Sequence, residues 1–163
     1  MERLDKLMVK GLFYVCSFLM FLMAAIITAQ VLSRYIVGSP LTWSEELGRY
    51  IFVWMSFLGM SVAVRQGSHI ALDILVKKLK GVSQKLLMFI NNCLVLFFGV
   101  CLTISGFKLV ELGMKQKSPT LQLPMQFVYI VIPISGIILM YFVISGTIQM
   151  LRSQESRGKE ELV

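Results

Sequence analysis

The sequence predicts an all-α integral membrane protein: four transmembrane helices, an amphipathic interfacial helix between spans 2 and 3, and both termini cytoplasmic. Three observations predict the helical membrane fold. Apolar residues fill 56% of the 163 positions against 15% charged, and the mean hydropathy is +0.76, too apolar for a soluble domain of this length. These residues gather in runs of roughly twenty, enough to cross a ~30 Å hydrocarbon core at ~1.5 Å per helical residue. Only helices and closed barrels can span a bilayer, and the runs lack the period-two alternation of barrel strands. The whole chain, 1–163, reads as a single membrane domain.

Span 1 is expected at about 11–34. No charge interrupts Gly11 to Ser33, and Lys6 and Lys10 precede it; the run is too long for a cleaved leader and reads as a retained signal anchor. Gly38 and Pro40 then mark a turn. Span 2, about 42–66, opens on Thr42 and Glu45 in capping-box spacing. Trp43 suits the aromatic belt, Arg65 the far end, and Gly67 a helix stop.

The interfacial helix is expected at about 68–80. His69, Asp73, Lys77 and Lys80 line one face and Leu72, Leu75, Val76 and Leu79 another, the pattern of a helix lying in the headgroup layer. Span 3, about 83–117, includes an extension beyond the bilayer: the helical signal outlasts the uncharged Leu86–Phe107 run and continues toward Ser118 and Pro119. Such a helix is ~52 Å long and must tilt or protrude. Along it Asn92, Gly99, Gly106 and Gly113 recur every seven residues, a small-sided seam that lets another helix approach closely, within the chain or across a subunit interface. Span 4, about 124–151, contains Pro133, which frees the Tyr129 carbonyl and predicts a kink.

Orientation follows from the cations. Arg3, Lys6, Lys10, Arg65, Lys77, Lys78, Lys80, Lys85, Arg152, Arg157 and Lys159 fall on one side; Arg34, Arg49, Lys108, Lys115 and Lys117 fall on the other. The excess places both termini in the cytoplasm and the turns at Pro40 and Pro119 outside. The net charge of +7 therefore reads as membrane-flanking rather than as a nucleic-acid surface.

Little in the chain carries chemistry. Cys16, Cys93 and Cys101 lie within spans without metal-ligand spacing, and His69 is the single histidine, so no metal or cofactor is expected. No nucleophile–base constellation, phosphate loop or aspartate cluster is present, which argues against an enzyme. Repeated halves and paired broken helices, the marks of an independent secondary transporter, are missing as well. The most informative charges are Glu45, Glu46 and Arg49 near the start of span 2. They lie at a membrane edge and an arginine can pair with either acid, so structural pairing or subunit contact is favoured over ion coupling.

The segment Ser39–Val76 resembles the DctQ-like small membrane subunit of tripartite ATP-independent periplasmic (TRAP) transporters. The resemblance rests on Trp43, Glu45, Glu46, Arg49, Gly59, Val64, Arg65, His69 and Asp73, with Gln30, Arg34 and Tyr35 before them. Pro119, Pro124, Met125, Tyr129, Pro133 and Gly136 extend it downstream, where the family pattern calls for an aromatic at Gln126. The resemblance implies a bacterial inner-membrane protein that braces a large sodium-driven transport subunit and helps dock a periplasmic substrate-binding protein. The substrate would be an organic acid, and the segment looks particularly like small subunits of sialic-acid systems. Membrane phospholipids would be its remaining partners. The competing expectation is a stand-alone oligomeric transporter or channel in which Glu45 or Glu46 acts directly.

Overall fold

The computed structural model describes residues 2–39, 41–76 and 82–160, with side chains described over 3–36, 38–39, 41–66 and 89–148. The described residues form α1 (Glu2–Leu32), a π-helical turn (Ser33–Val37), α2 (Thr42–Val76), α3 (Val82–Met114), α4 (Gln126–Tyr129) and α5 (Val131–Glu160). Four stretches are long and apolar enough to cross a membrane: Arg3–Ile36, Thr42–Gln66, Phe89–Met114 and Gln126–Ile148.

The first span ends where the π-helical turn meets Gly38, whose φ of 72° is open to glycine at little cost. Ser33 Oγ closes this corner by donating to Ser39 O at 3.0 Å. Helix α2 starts at Thr42, but the expected capping box does not form. The Leu41 carbonyl accepts from both the amide and hydroxyl of Ser44, at 3.1 and 2.6 Å, while Glu45 turns aside to accept from Gln30 Nε2 at 3.0 Å.

At its other end α2 runs through Gly67 to Val76, so no separate helix begins at Ser68. An interior glycine costs only about 1 kcal/mol, and the Ile-Ala-Leu run behind it sustains the backbone ladder. The side chains of His69 and Asp73, and all of 77–81, lie outside the described residues.

Helix α3 ends at Met114 rather than near Lys117. Lys115 and Gln116 amides fold back onto the Leu112 and Gly113 carbonyls at 3.2 and 3.3 Å, tightening the last turn. The chain then turns through a loop in which Lys117 bridges Pro124, Ser118 N donates to Leu123 O at 2.9 Å, and Met125 N donates to Gln116 O at 3.0 Å. Span 4 is interrupted at Ile130, between α4 and α5, leaving Pro133 in the first turn of α5. A proline is tolerated there because amides of the first turn lack intrahelical acceptors.

Helix α5 is the centre of the bundle. In its most apolar window 44% of residues are buried, against 28% for α2, 11% for α3 and none for α1. Leu58 of α2 packs with Val131 and Ile132, and Leu12, Cys16 and Leu19 of α1 close over them. Hydrocarbon tails are as apolar as leucine, so helices in a bilayer associate through close packing rather than water exclusion. The seam of α3 supplies that packing against α5. A β-carbon at Gly106 would lie 2.7 Å from Pro133 N, one at Gly113 2.7 Å from Gln126 N, and one at Gly99 2.8 Å from Met140 Cγ. Gly136 faces them from α5, where a β-carbon would meet Thr103 Oγ1 at 2.5 Å. Asn92 completes the line by donating to Thr147 Oγ1 at 3.0 Å. The four seam residues thus meet α4 and α5 of their own chain.

Gly106→Leu is expected to destabilise the purified chain by about 3 kcal/mol or more, because the contact is with proline backbone that cannot give way. Gly59→Ala, at a position with nothing within 4 Å, is expected to be neutral or to stabilise by up to about 1 kcal/mol. Thermal unfolding in mild detergent, followed by circular dichroism, compares them; equal midpoints would contradict the close approach.

Candidate functional site

One stripe of α2 makes a run of polar contacts to distant parts of the chain. Glu46, Tyr50, Trp54, Leu58, Ser61 and Arg65 follow one another at spacings of four, four, four, three and four, which keeps them on one helical face. Each meets α4, α5 or a segment packed against them.

At the Thr42 end of α2, Glu46 is buried, 7% exposed. One carboxylate oxygen accepts the Tyr50 hydroxyl, and the other accepts the Thr120 and Leu121 amides at 3.0 and 2.9 Å. A carboxylate has several lone-pair directions and no donor of its own, so it suits consecutive amides at a loop tip. One helical turn deeper, Tyr50 OH lies 3.3 Å from Met125 Sδ. A further turn down, Trp54 Nε1 donates to Phe127 O at 3.1 Å, serving a carbonyl just before the break in span 4.

Arg49 was expected to neutralise Glu45 or Glu46. It pairs with neither, and among the described residues it forms no ion pair. The reason is occupancy: Glu46 is committed to the loop and Glu45 to Gln30. Arg49 is exposed and lines a cavity of about 240 Å³ with Glu45, Glu46, Pro119 and Thr120. Trp43, 42% exposed, stands on the surface at the start of α2.

The Arg65 end of the stripe is organised by a residue that the sequence reading passed over. Asp5 is 2% exposed and accepts from Arg65 Nη2 at 3.1 Å, from Tyr141 OH at 2.9 Å and from the Ser145 hydroxyl. It joins α1, α2 and α5 through one carboxylate. Between the two ends, Ser61 Oγ lies 3.2 Å from Ser135 O. Asp5 stands among Arg3, Lys6 and Lys10 and so looks like a flanking charge; Arg65, with no acid within one turn of it, was the available signal for a distant partner. Among the described residues no group of three or more His, Cys, Asp or Glu could hold a metal. These contacts are architectural: carboxylates saturated by fixed donors, with no activated nucleophile beside them.

A family model described as tripartite ATP-independent periplasmic transporters, DctQ component, matches residues 23–153. The chain belongs to this family. It is the small permease subunit of a TRAP transporter, a multi-pass membrane component of a transport system and not an enzyme. A Haemophilus influenzae protein named as a TRAP transporter small permease is 27% identical over 151 residues, 93% of this chain and 94% of that one. The C4-dicarboxylate TRAP transporter small permease protein DctQ of Rhodobacter capsulatus is 33% identical over 101 residues, 61% of this chain and 44% of its own length. The sialic acid TRAP transporter permease protein SiaT of Haemophilus influenzae is 40% identical over 82 residues, 46% of this chain but only 13% of that protein.

Two substitutions test the ends of the stripe. Glu46→Gln keeps the shape but replaces one acceptor oxygen with a donor and removes the charge; Thr120 and Leu121 amides should exchange with deuterium roughly 10- to 100-fold faster, as the loss of charged hydrogen bonds predicts. Unchanged protection would show that the loop holds itself. Asp5→Asn removes the charge that the part-buried Arg65 pairs with and should destabilise the detergent-solubilised chain by about 3 kcal/mol, read from thermal unfolding.

Proposed function

We propose that this small permease subunit is the stationary membrane brace of a sodium-driven TRAP system in the bacterial inner membrane, holding a large transport subunit and helping a periplasmic binding protein to dock. Arg49 carries the proposal. An exposed guanidinium in an apolar span, whose neighbouring acids are already engaged, is suited to a carboxylate or carbonyl of another membrane chain. That the chain aligns with a small part of a much longer permease fits a large transport chain as that neighbour.

The excess of Lys and Arg at the termini and the middle loop supports cytoplasmic ends and an outward loop at 115–125. On this reading the helical stretch beyond Gln66 leaves the hydrocarbon and meets the headgroup layer, as the amphipathic pattern of the sequence suits. Lys108, Lys115 and Lys117 are exposed beside the outer loop and would attract an acidic face of the binding protein, acting mainly on encounter rate. The solute is an organic acid. Relatives named for sialic acid and for C4-dicarboxylates both align, and sialic acid is the first candidate to assay because the sialic-acid relative has the higher identity.

The test is co-purification of the tagged chain with a co-expressed large subunit, followed by reconstitution with and without a binding protein. Arg49→Ala should lower recovery of the large subunit roughly tenfold or more while leaving the thermal stability of the isolated chain unchanged, and Arg49→Lys should restore part of it. Full recovery with Arg49→Ala would remove Arg49 as the contact. Solute uptake by this chain alone would overturn the brace.

A further inference from the structure

At the Asp5 end of the bundle, a groove of about 600 Å³ lies between α1 and the end of the second span. It is lined by Asp5, Lys6, Val9, Lys10, Phe13, Arg65 and Gln66. Lys6, Val9, Lys10 and Phe13 stand at i, i+3, i+4 and i+7, one stripe of α1. The groove is graded along that stripe. Lysines line its outer part, and Phe13, 57% exposed, stands ~10 Å deeper along the helix from Lys6. Opposite stand Arg65, fixed by its 3.1 Å bond to Asp5, and Gln66, the last residue of the second apolar stretch.

Among the described residues three cations line the groove against one carboxylate, and that carboxylate is nearly enclosed by Arg65, Tyr141 and Ser145. The surplus charge therefore faces the opening. Lysines at a helix end would by themselves extend into water. Here the Lys10 ammonium lies 6.0 Å from the centroid of the Tyr14 ring, toward the bilayer rather than away from it.

We propose that this groove is a binding site for one anionic glycerophospholipid. Its phosphate would be held by Lys6 and Lys10 with Arg65 and Gln66 at the wall, and the first acyl carbons would rest on Val9 and Phe13. Charge complementarity names the headgroup, and the apolar floor favours a lipid over a free anion, which would gain nothing from Val9 or Phe13. The bound lipid would link α1 to α2 where Asp5 already joins them.

The full chain, delipidated in a neutral detergent, is titrated with phosphatidylglycerol, phosphatidylcholine or inorganic phosphate, and binding is read by native mass spectrometry and by thermal shift. Phosphatidylglycerol should give one tightly retained adduct and a raised midpoint; the other two should give neither. Lys6→Gln and Lys10→Gln should each weaken phosphatidylglycerol binding roughly fivefold, the worth of about one cation at a membrane surface, while Lys108→Gln at the opposite end should not. Equal retention of phosphatidylcholine, a full shift from inorganic phosphate, or undiminished binding in both Lys6→Gln and Lys10→Gln would overturn the site. If either variant is too unstable to purify, competition between the two lipids on the unmodified chain decides the question. None of these readouts depends on a large subunit, so the outcome is independent of the brace.

Discussion

The arrangement around the 115–125 loop depends on how closely α3 approaches α4 and α5. Gly106 against Pro133 and Gly113 against Gln126 leave no room for a side chain, and that closeness fixes where α3 ends and the 115–125 loop begins. The loop then presents Thr120 and Leu121 to α2, where one Glu46 carboxylate oxygen accepts both amides. Because Glu46 is taken up in this way, Arg49 has no ion-pair partner among the described residues. A packing constraint among glycines thus decides which charge faces outward.

The two buried carboxylates solve one problem at opposite ends. A carboxylate withdrawn from water is tolerated only when donors replace its hydration. Glu46 finds backbone amides and a tyrosine; Asp5 finds a guanidinium, a tyrosine and a serine. Each draws its donors from segments far apart in sequence, so each acts as a fastener between helices that hydrocarbon alone would not hold together.

The helical membrane character was legible because it depends on composition and run length, which are local. The small-sided seam was legible too, since a seven-residue recurrence needs no knowledge of the partner; that its partner is α5 required the structure. Errors arose where a side chain had a choice. Thr42 and Glu45 have the spacing of a capping box, yet Gln30 and Ser44 offered competing bonds. Arg49 has acids at i−4 and i−3, yet a loop more than seventy residues away claimed Glu46. Asp5 escaped notice because its donors lie 60, 136 and 140 residues along the chain. The polar positions of the α2 stripe were in plain view at four-residue spacing, but within an apolar run they read as exceptions rather than as a pattern.

The bonds that cross from Glu46, Tyr50, Trp54, Ser61 and Arg65 to neighbouring segments are directional, whereas contacts among leucines are not. Sliding the 120–135 segment along α2 by a single residue, ~1.5 Å, would misalign the bonds of Glu46, Tyr50, Trp54 and Ser61 at once. Force applied at the loop tip is therefore carried down the pair as though along a toothed rack, with little lost to slippage before it reaches the far membrane face.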